Sequence, residues 1–226
     1  MEKRPKNLRF AVLAADTAIF KFTNGRLLVR LIKVNRPPHF TNHWGLPGGL
    51  ILPKETADEA ARRHSREKGA IKQMYLEQLY TFSGINRDPR GRVVAVAYLA
   101  IDKKNDINYN LGTTPENSPC WFSIKKLPRL AYDHKKIIQV ALERLRAKLS
   151  YTNIAFALLP NEFTFGELRN LYEIILGRRF DRRNFRKKFL SLDLIRPTEK
   201  ERLGAANRPA ALYRFRKQSL TVANII

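Results

Sequence analysis

Cysteine is nearly missing from this chain, since Cys120 is the only one in 226 residues. A lone thiol excludes an internal disulfide framework, and no Cys/His cluster has zinc-ligand spacing. His39 and His43 lie close in sequence but have no further ligands beside them, so they read as loop residues. Acidic residues are scarce too: 20 Asp and Glu stand against 43 Lys and Arg, a net charge of +23. No apolar run reaches the roughly 20 residues that span a bilayer. The apolar stretch after the basic residues Met1–Asn7 is short and interrupted by Asp16, which makes it a strand rather than a secretion signal. A soluble, cytoplasmic protein without a membrane partner is expected. What is abundant is positive charge, distributed over the whole length. That favours a polyanionic partner, nucleic acid first and a membrane surface second.

The length suits one domain followed by a smaller one, and the residue pattern changes near Ser150. We therefore expect domains over residues 1–150 and 151–226. In the first, Phe10–Phe22 and Arg26–Val34 are apolar runs around Asn24-Gly25, the strongest short signal for a hairpin. Pro37-Pro38 is expected to end the second strand, and Gly48-Gly49 to form a tight turn. A helix should open near Thr56 and run to about Lys68, with Gly69 as its C-cap. Met74–Ser83 and Val93–Ile101 read as strands, the second apolar enough to be central and covered on both faces. A polar connection spans Lys103–Pro119, and a short strand follows at Pro119–Phe122. Asp133 should cap a helix from His134 to about Leu149. Mixed strands with helices on opposite faces make an α/β fold, an α/β/α sandwich.

One stretch carries chemistry. Trp44-Gly45-Leu46-Pro47-Gly48-Gly49 is followed by Glu55 and then by Arg62-Arg63-His64-Ser65-Arg66-Glu67-Lys68-Gly69. It resembles a Nudix box, G-x5-E-x7-R-E-U-x-E-E-x-G-U, stripped of its metal-binding carboxylates. Counted from Gly49, Glu55 and Arg63 fit, but His64 stands where Glu belongs and Gly69 arrives one residue early. Sliding the second half by one residue restores the glycine, places Arg63 and Arg66 at glutamate positions, and leaves only Glu67. Magnesium and manganese need several hard oxygen ligands. The glutamates of such a box lie one turn apart on one helix face. Here that face is basic and repels a divalent cation, so metal-assisted hydrolysis is not expected, and neither a metal nor another cofactor is. The basic face either holds an anionic ligand or is simply solvated.

In the second domain, Thr164 can cap a helix over Phe165–Leu176 that Gly177 stops, and Asp181 can cap another over Arg182–Leu190. Leu194–Pro197, a polar loop to Pro209, and a strand Ala211–Phe215 complete a small winged helix-turn-helix. Phe185, Phe189 and Leu192 share one face of the second helix as its anchor. Arg182, Arg183 and Arg186 are base-edge candidates, because guanidinium groups pair bidentately with guanine and the start of a recognition helix enters the major groove. Asn184 either reads a base or supports the turn. Lys187 and Lys188 are phosphate contacts, and Lys200, Arg202 and Arg208 belong to a wing that touches the backbone or minor groove.

Together with Arg87–Val94, Tyr132-Asp133-His134, Leu158-Leu159-Pro160 and Phe163-Thr164, these segments make nearly the full length similar to the Nudix-related transcriptional regulators. The resemblance implies a bacterial repressor or activator, dimeric on a palindromic operator of double-stranded DNA. Its Nudix-like domain would be catalytically inactive and would sense a small effector, either ADP-ribose or a pentose such as arabinose. Trp44, Arg63, Arg87, Arg90 and Arg92 are the ligand candidates, although Arg90 and Arg92 can equally pair with surface acids. Two rival readings stand beside this one: a constitutive nucleic-acid-binding protein without effector, and a Nudix hydrolase of a nucleoside diphosphate derivative. A ligand that prefers the DNA-incompatible geometry lowers DNA affinity by its differential binding to the two states.

Overall fold

The computed structural model describes residues 11–103, 118–203 and 209–226. The expected strand start at Phe10, most of the Lys103–Pro119 connection, and the wing candidate Arg208 fall outside them.

β1 (Val12–Thr23) and β2 (Arg26–Arg36) pair antiparallel through Asn24-Gly25, whose φ angles of 47° and 65° are those of a type I′ link. Pro37-Pro38 ends β2 at Arg36, as the sequence suggested, but not the sheet. The chain turns into β3 (Phe40–Gly45), which pairs back on β2. Its residues Thr41, Asn42 and His43 carry little apolar signal, so no strand was expected. The Gly48-Gly49 turn is likewise part of a strand, β4 (Gly48–Leu50), antiparallel to β1. Glycine is required at 48 because a side chain there would strike the Asp16 carboxylate at 2.1 Å and the Ala15 carbonyl at 2.7 Å.

α1 (Ala57–Glu67) starts with a full capping box between Thr56 and Glu59. Gly69 is not the C-cap expected from the sequence; Lys68 holds that position in right-handed conformation. Ala70 takes the positive φ, 57°, while a side chain at Gly69 would meet the Ser65 carbonyl at 2.6 Å. Close packing, not conformation, demands glycine at 69. β5 (Met74–Phe82) and β6 (Val93–Asp102) are antiparallel, and β6 runs parallel to β1, which makes the sheet mixed. β7 (Cys120–Ser123) pairs with β2, and the main path of the sheet is β3-β2-β1-β6-β5.

β6 is central, and its side chains alternate between two layers. Tyr98 packs with Ala15, Ala60 and Ala61 toward α1. Ala97, Leu99 and Ile101 pack with Ile137, Ile138 and Ala141 of α2 (His134–Tyr151) on the opposite side. Each buried Leu or Ile contributes about 1.5–3 kcal/mol, so these two layers dominate the stability of the first domain. Asp133 begins α2 but makes no capping bond with its side chain. The stronger pull of Arg87 takes that carboxylate instead.

α3 (Ala155–Leu158) is a single buried turn, followed by β8 (Phe163–Thr164), α4 (Phe165–Leu176) and α5 (Arg182–Ser191). Thr164 and Glu167 form a second capping box, Gly177 closes α4 with a φ of 72°, and Asp181 accepts the Asn184 N–H at 2.9 Å. The polar stretch read as a loop is largely strand: β9 (Ile195–Leu203) pairs with β10 (Pro209–Phe215), and β8 adds to the other edge of β10. An aromatic core of Phe163, Phe165, Tyr172, Phe185, Phe189, Tyr213 and Phe215 seats the helices on this small sheet.

The two parts are welded together. One continuous cluster includes Leu31 and Ile138 from the first and Leu171 and Phe189 from the second. The last residues fold back, with Asn153 bonded to Ser219 and Thr221, and Ile225 N–H bonded to the Ser150 carbonyl.

Candidate effector cavity and nucleic-acid surface

A cavity of about 890 Å³ opens between β1, β2, β4, the end of α1 and the loop preceding β6. Its floor is the buried Asp16. Burial alone would push that carboxyl up, but His134 and Arg87 outweigh it and hold it below the usual carboxylate range. Nδ1 of His134 accepts the Leu46 N–H at 2.9 Å, leaving Nε2 facing Asp16 at 3.7 Å.

The five sequence candidates separate into two groups. Arg87, Arg90 and Arg92 line the cavity. Arg87 is buried and forked onto Asp133 at 3.0 and 2.7 Å, with Asp16 at 3.2 Å, so its charge is neutralised within the protein. Arg90 clasps Asp88 at 3.0 and 2.7 Å and lies over the Tyr132 ring at 5.4 Å, with half its side chain exposed. Arg92 donates to the Ser83 and Gly84 carbonyls at 2.8 and 3.0 Å. Trp44 and Arg63 do not line the cavity. Trp44 packs on Phe122 at 4.7 Å beneath the Lys33 ammonium, and Arg63 is bound to Glu55 at 3.0 and 2.5 Å. Lys33, Arg36 and Tyr132, which the sequence does not mark as ligand candidates, also line the cavity, as does Lys68 from the basic helix face. A bulge between Val34 and Arg36 breaks the alternation that would have placed the β2 cations. Tyr132, at a φ of 54°, signals itself only as a bulky residue in strained backbone.

The residues present do not fit a divalent metal. Glu55, held by Arg63 and the Leu52 N–H, has its carboxyl lowered to about 2. Glu59 is engaged in the cap of α1, and Glu67 is exposed, 3.5 Å from Arg63. Lys68 Nζ rests on the Gly48 carbonyl at 2.7 Å, and His64 Nε2 on the Leu50 carbonyl at 3.0 Å. Among the described residues no group of three or more His, Cys, Asp or Glu is placed to hold an ion.

On the other domain, α5 presents Arg182, Arg183, Asn184, Arg186, Lys187 and Lys188 on its exposed side while Phe185 and Phe189 are buried. Leu192 is half-buried against the same cluster. Arg182, Arg183, Lys187 and Lys188 make no ion pair with any described residue. Arg186 differs: it donates to the Tyr213 hydroxyl at 2.8 Å and lies over the Phe165 and Tyr213 rings. In the wing, Lys200 pairs with Glu162 at 3.1 Å and Arg202 with Glu167 at 2.8 Å. Two further cations emerge from the β9–β10 register: Arg196 and Arg214 are exposed and directly opposite one another. Like charges in that position destabilise a ladder, so this arrangement favours an anion lying across both. Because the register between Leu194–Pro197 and Ala211–Phe215 cannot be read across a long intervening polar stretch, the facing pair was invisible in sequence.

A Nudix domain fused to a winged helix, with a cationic cavity in one and a basic helix face in the other, defines a ligand-responsive, DNA-binding transcriptional regulator. Residues 12–141 match the NUDIX domain model and residues 155–215 the NrtR DNA-binding winged helix domain model. A repressor of Acinetobacter baylyi, described as the ADPR responsive transcriptional repressor NtrR, is 33% identical over 92% of this chain and 83% of its own length. The crystal structure of Shewanella oneidensis NrtR with a 27mer DNA superimposes with a TM-score of 0.74 at 32% identity, covering 90% of this chain and 93% of that one. The NUDIX domain of the Shewanella protein in complex with ADP ribose gives a TM-score of 0.52 at 32% identity, over 63% of this chain and 93% of that one. The chain belongs to the NrtR family of Nudix-related regulators. No helix among the described residues is long and apolar enough to cross a membrane.

Proposed function

We propose that this protein is an ADP-ribose-responsive repressor. Residues 1–150 would sense the effector without hydrolysing it, and residues 151–226 would read a palindromic operator as a dimer in the cytoplasm. The observation that carries this reading is the cationic cavity set against a Nudix helix whose carboxylates are bound to protein groups rather than free for metal. Its volume suits a nucleotide sugar, within the roughly 300–1,000 Å³ of small-molecule sites. The relatives described as ADPR-responsive and as bound to ADP ribose support that effector, and nothing among them supports a free pentose. Arg182, Arg183 and Asn184 are proposed to reach base edges, with Arg186, Lys187, Lys188, Lys200, Arg202 and Arg208 securing the phosphates and the wing.

The test is DNA binding to an enriched genomic operator at physiological salt, with and without ADP-ribose. Release of the specific operator by ADP-ribose, with no AMP formed on prolonged incubation with magnesium, is the expected result. DNA affinity indifferent to ADP-ribose would favour a constitutive binder. Steady AMP production would favour a hydrolase.

A further inference from the structure

We infer that the ammonium of Lys68 takes the place of the divalent metal in this cavity: a resident cation that holds the diphosphate of a nucleotide sugar directly, so that binding needs no metal. The inference rests on the effector reading above and adds the group that makes it chemically possible.

Lys68 follows the last residue of α1, at the rim where β4 meets the helix, and it lines the cavity. Its Nζ donates to the Gly48 carbonyl at 2.7 Å, which fixes the ammonium against the turn. The fit is close: a side chain at Gly49 would come within 2.9 Å of that nitrogen. An ammonium carries three donors, and this contact uses one, leaving two for a ligand.

Its charge is not neutralised by its neighbours. Arg63 occupies Glu55, and Arg87 with His134 occupies Asp16. Glu67 points its carboxylate to Arg63 and is mostly exposed. Burial, then repulsion from Arg63 and Arg36, draws the ammonium below its ordinary value. A bound anion would relieve both, because an opposite charge nearby favours the ionised form. Arg36, exposed and also lining the cavity, supplies a second cation on the facing strand. A magnesium ion brought to the Gly48 carbonyl would have to displace Lys68, and it would find the nearby carboxylates already engaged.

The experiment is calorimetric titration of the full chain with ADP-ribose, and separately with inorganic pyrophosphate, in EDTA and in magnesium. Wild-type affinity for ADP-ribose is expected to be the same in both media. Lys68→Met should lose roughly 10- to 100-fold in affinity for both ligands, as expected for a hydrogen bond to a charged group, while its affinity for uncharged adenosine stays unchanged, which separates the lost cation from any loss of stability that follows the missing bond to the Gly48 carbonyl. Lys68→Arg should keep most of the binding. Wild-type binding abolished by EDTA would overturn the inference, as would Lys68→Met binding like wild type. If ADP-ribose fails in every medium while pyrophosphate still binds in EDTA and is lost in Lys68→Met, the choice of effector is wrong and the cation site stands.

Discussion

Arg146 of α2 donates its Nε–H to the carbonyl of Ile175, in the last turn of α4, at 2.9 Å. The bond ties the helix that closes the first part of the chain to the helix that supports α5, and it satisfies a carbonyl that the end of α4 would otherwise leave unpaired. It gives the continuous core between the domains a directional tie.

Arg146→Met is expected to keep the apolar stem and lose that tie. Hydrogen bonds from charged groups contribute about 1.5–3 kcal/mol, which in a chain of this size lowers the melting temperature by roughly 2–4 °C per kcal/mol. Both ADP-ribose and operator should still bind, but the factor by which one weakens the other should shrink. Scanning fluorimetry and operator anisotropy with and without effector read the two effects. An unchanged coupling factor would show that communication runs elsewhere.

Arg196→Glu should move stability and DNA affinity in opposite directions. Facing Arg214 across the β9–β10 ladder, a glutamate replaces repulsion with a cross-strand pair, each such pair contributing roughly 0.2–1 kcal/mol. Operator affinity should fall, and the slope of log affinity against log salt should become shallower by about one or more. Parallel losses of stability and affinity would mean that this face is structural.

Within α5, Arg182→Ala or Arg183→Ala should weaken the specific operator by about 1–3 kcal/mol and leave the melting temperature alone, because neither side chain is engaged within the described protein. Arg186→Ala should do both, since it also removes the bond to Tyr213 and the contacts with two rings. Competition against mutated half-sites separates base reading from phosphate contact.

Acid should reveal the grip of Arg63 on Glu55. The Glu55 carboxyl titrates at about 2 in the folded chain, below the roughly 4.3 of an unpaired glutamate. A lowered value contributes stability above the unfolded value that is lost as pH falls through the folded one. Wild type should therefore lose melting temperature between about pH 4.5 and 2 more steeply than Glu55→Gln, the two curves converging at the acid end. Parallel curves over that window would mean that the ion pair adds no stability.

Much of this was legible. Asn24-Gly25, the Thr164 cap, Gly177 and the Asp181 cap are short-range signals with one physical reading each, and the structure places every one as read. The illegible parts depend on partners distant in sequence. Asp133 looked like a cap until Arg87, 46 residues away, arrived to take its carboxylate. Lys68 looked like a cation that repels metal, and only the folded chain brings it onto the Gly48 carbonyl, 20 residues earlier. Arg196 and Arg214 become a pair solely through strand register. Arg63 was an attractive ligand contact because a Nudix box draws the eye there, yet its nearest carboxylate is the box's own Glu55.

β1 begins at the cavity wall with Val12, Ala14 and Asp16, and its far end turns at Gly25, where an added side chain would touch Asn170 of α4 at 3.3 Å. At about 3.3 Å per residue, the stretch from Asp16 to Thr23 spans roughly 23 Å, paired with β6 up to Phe20 and with β2 from Phe20 onward. Close-packed interiors yield little under load. The strand is thus a strut with one end in the cavity wall and the other braced against α4.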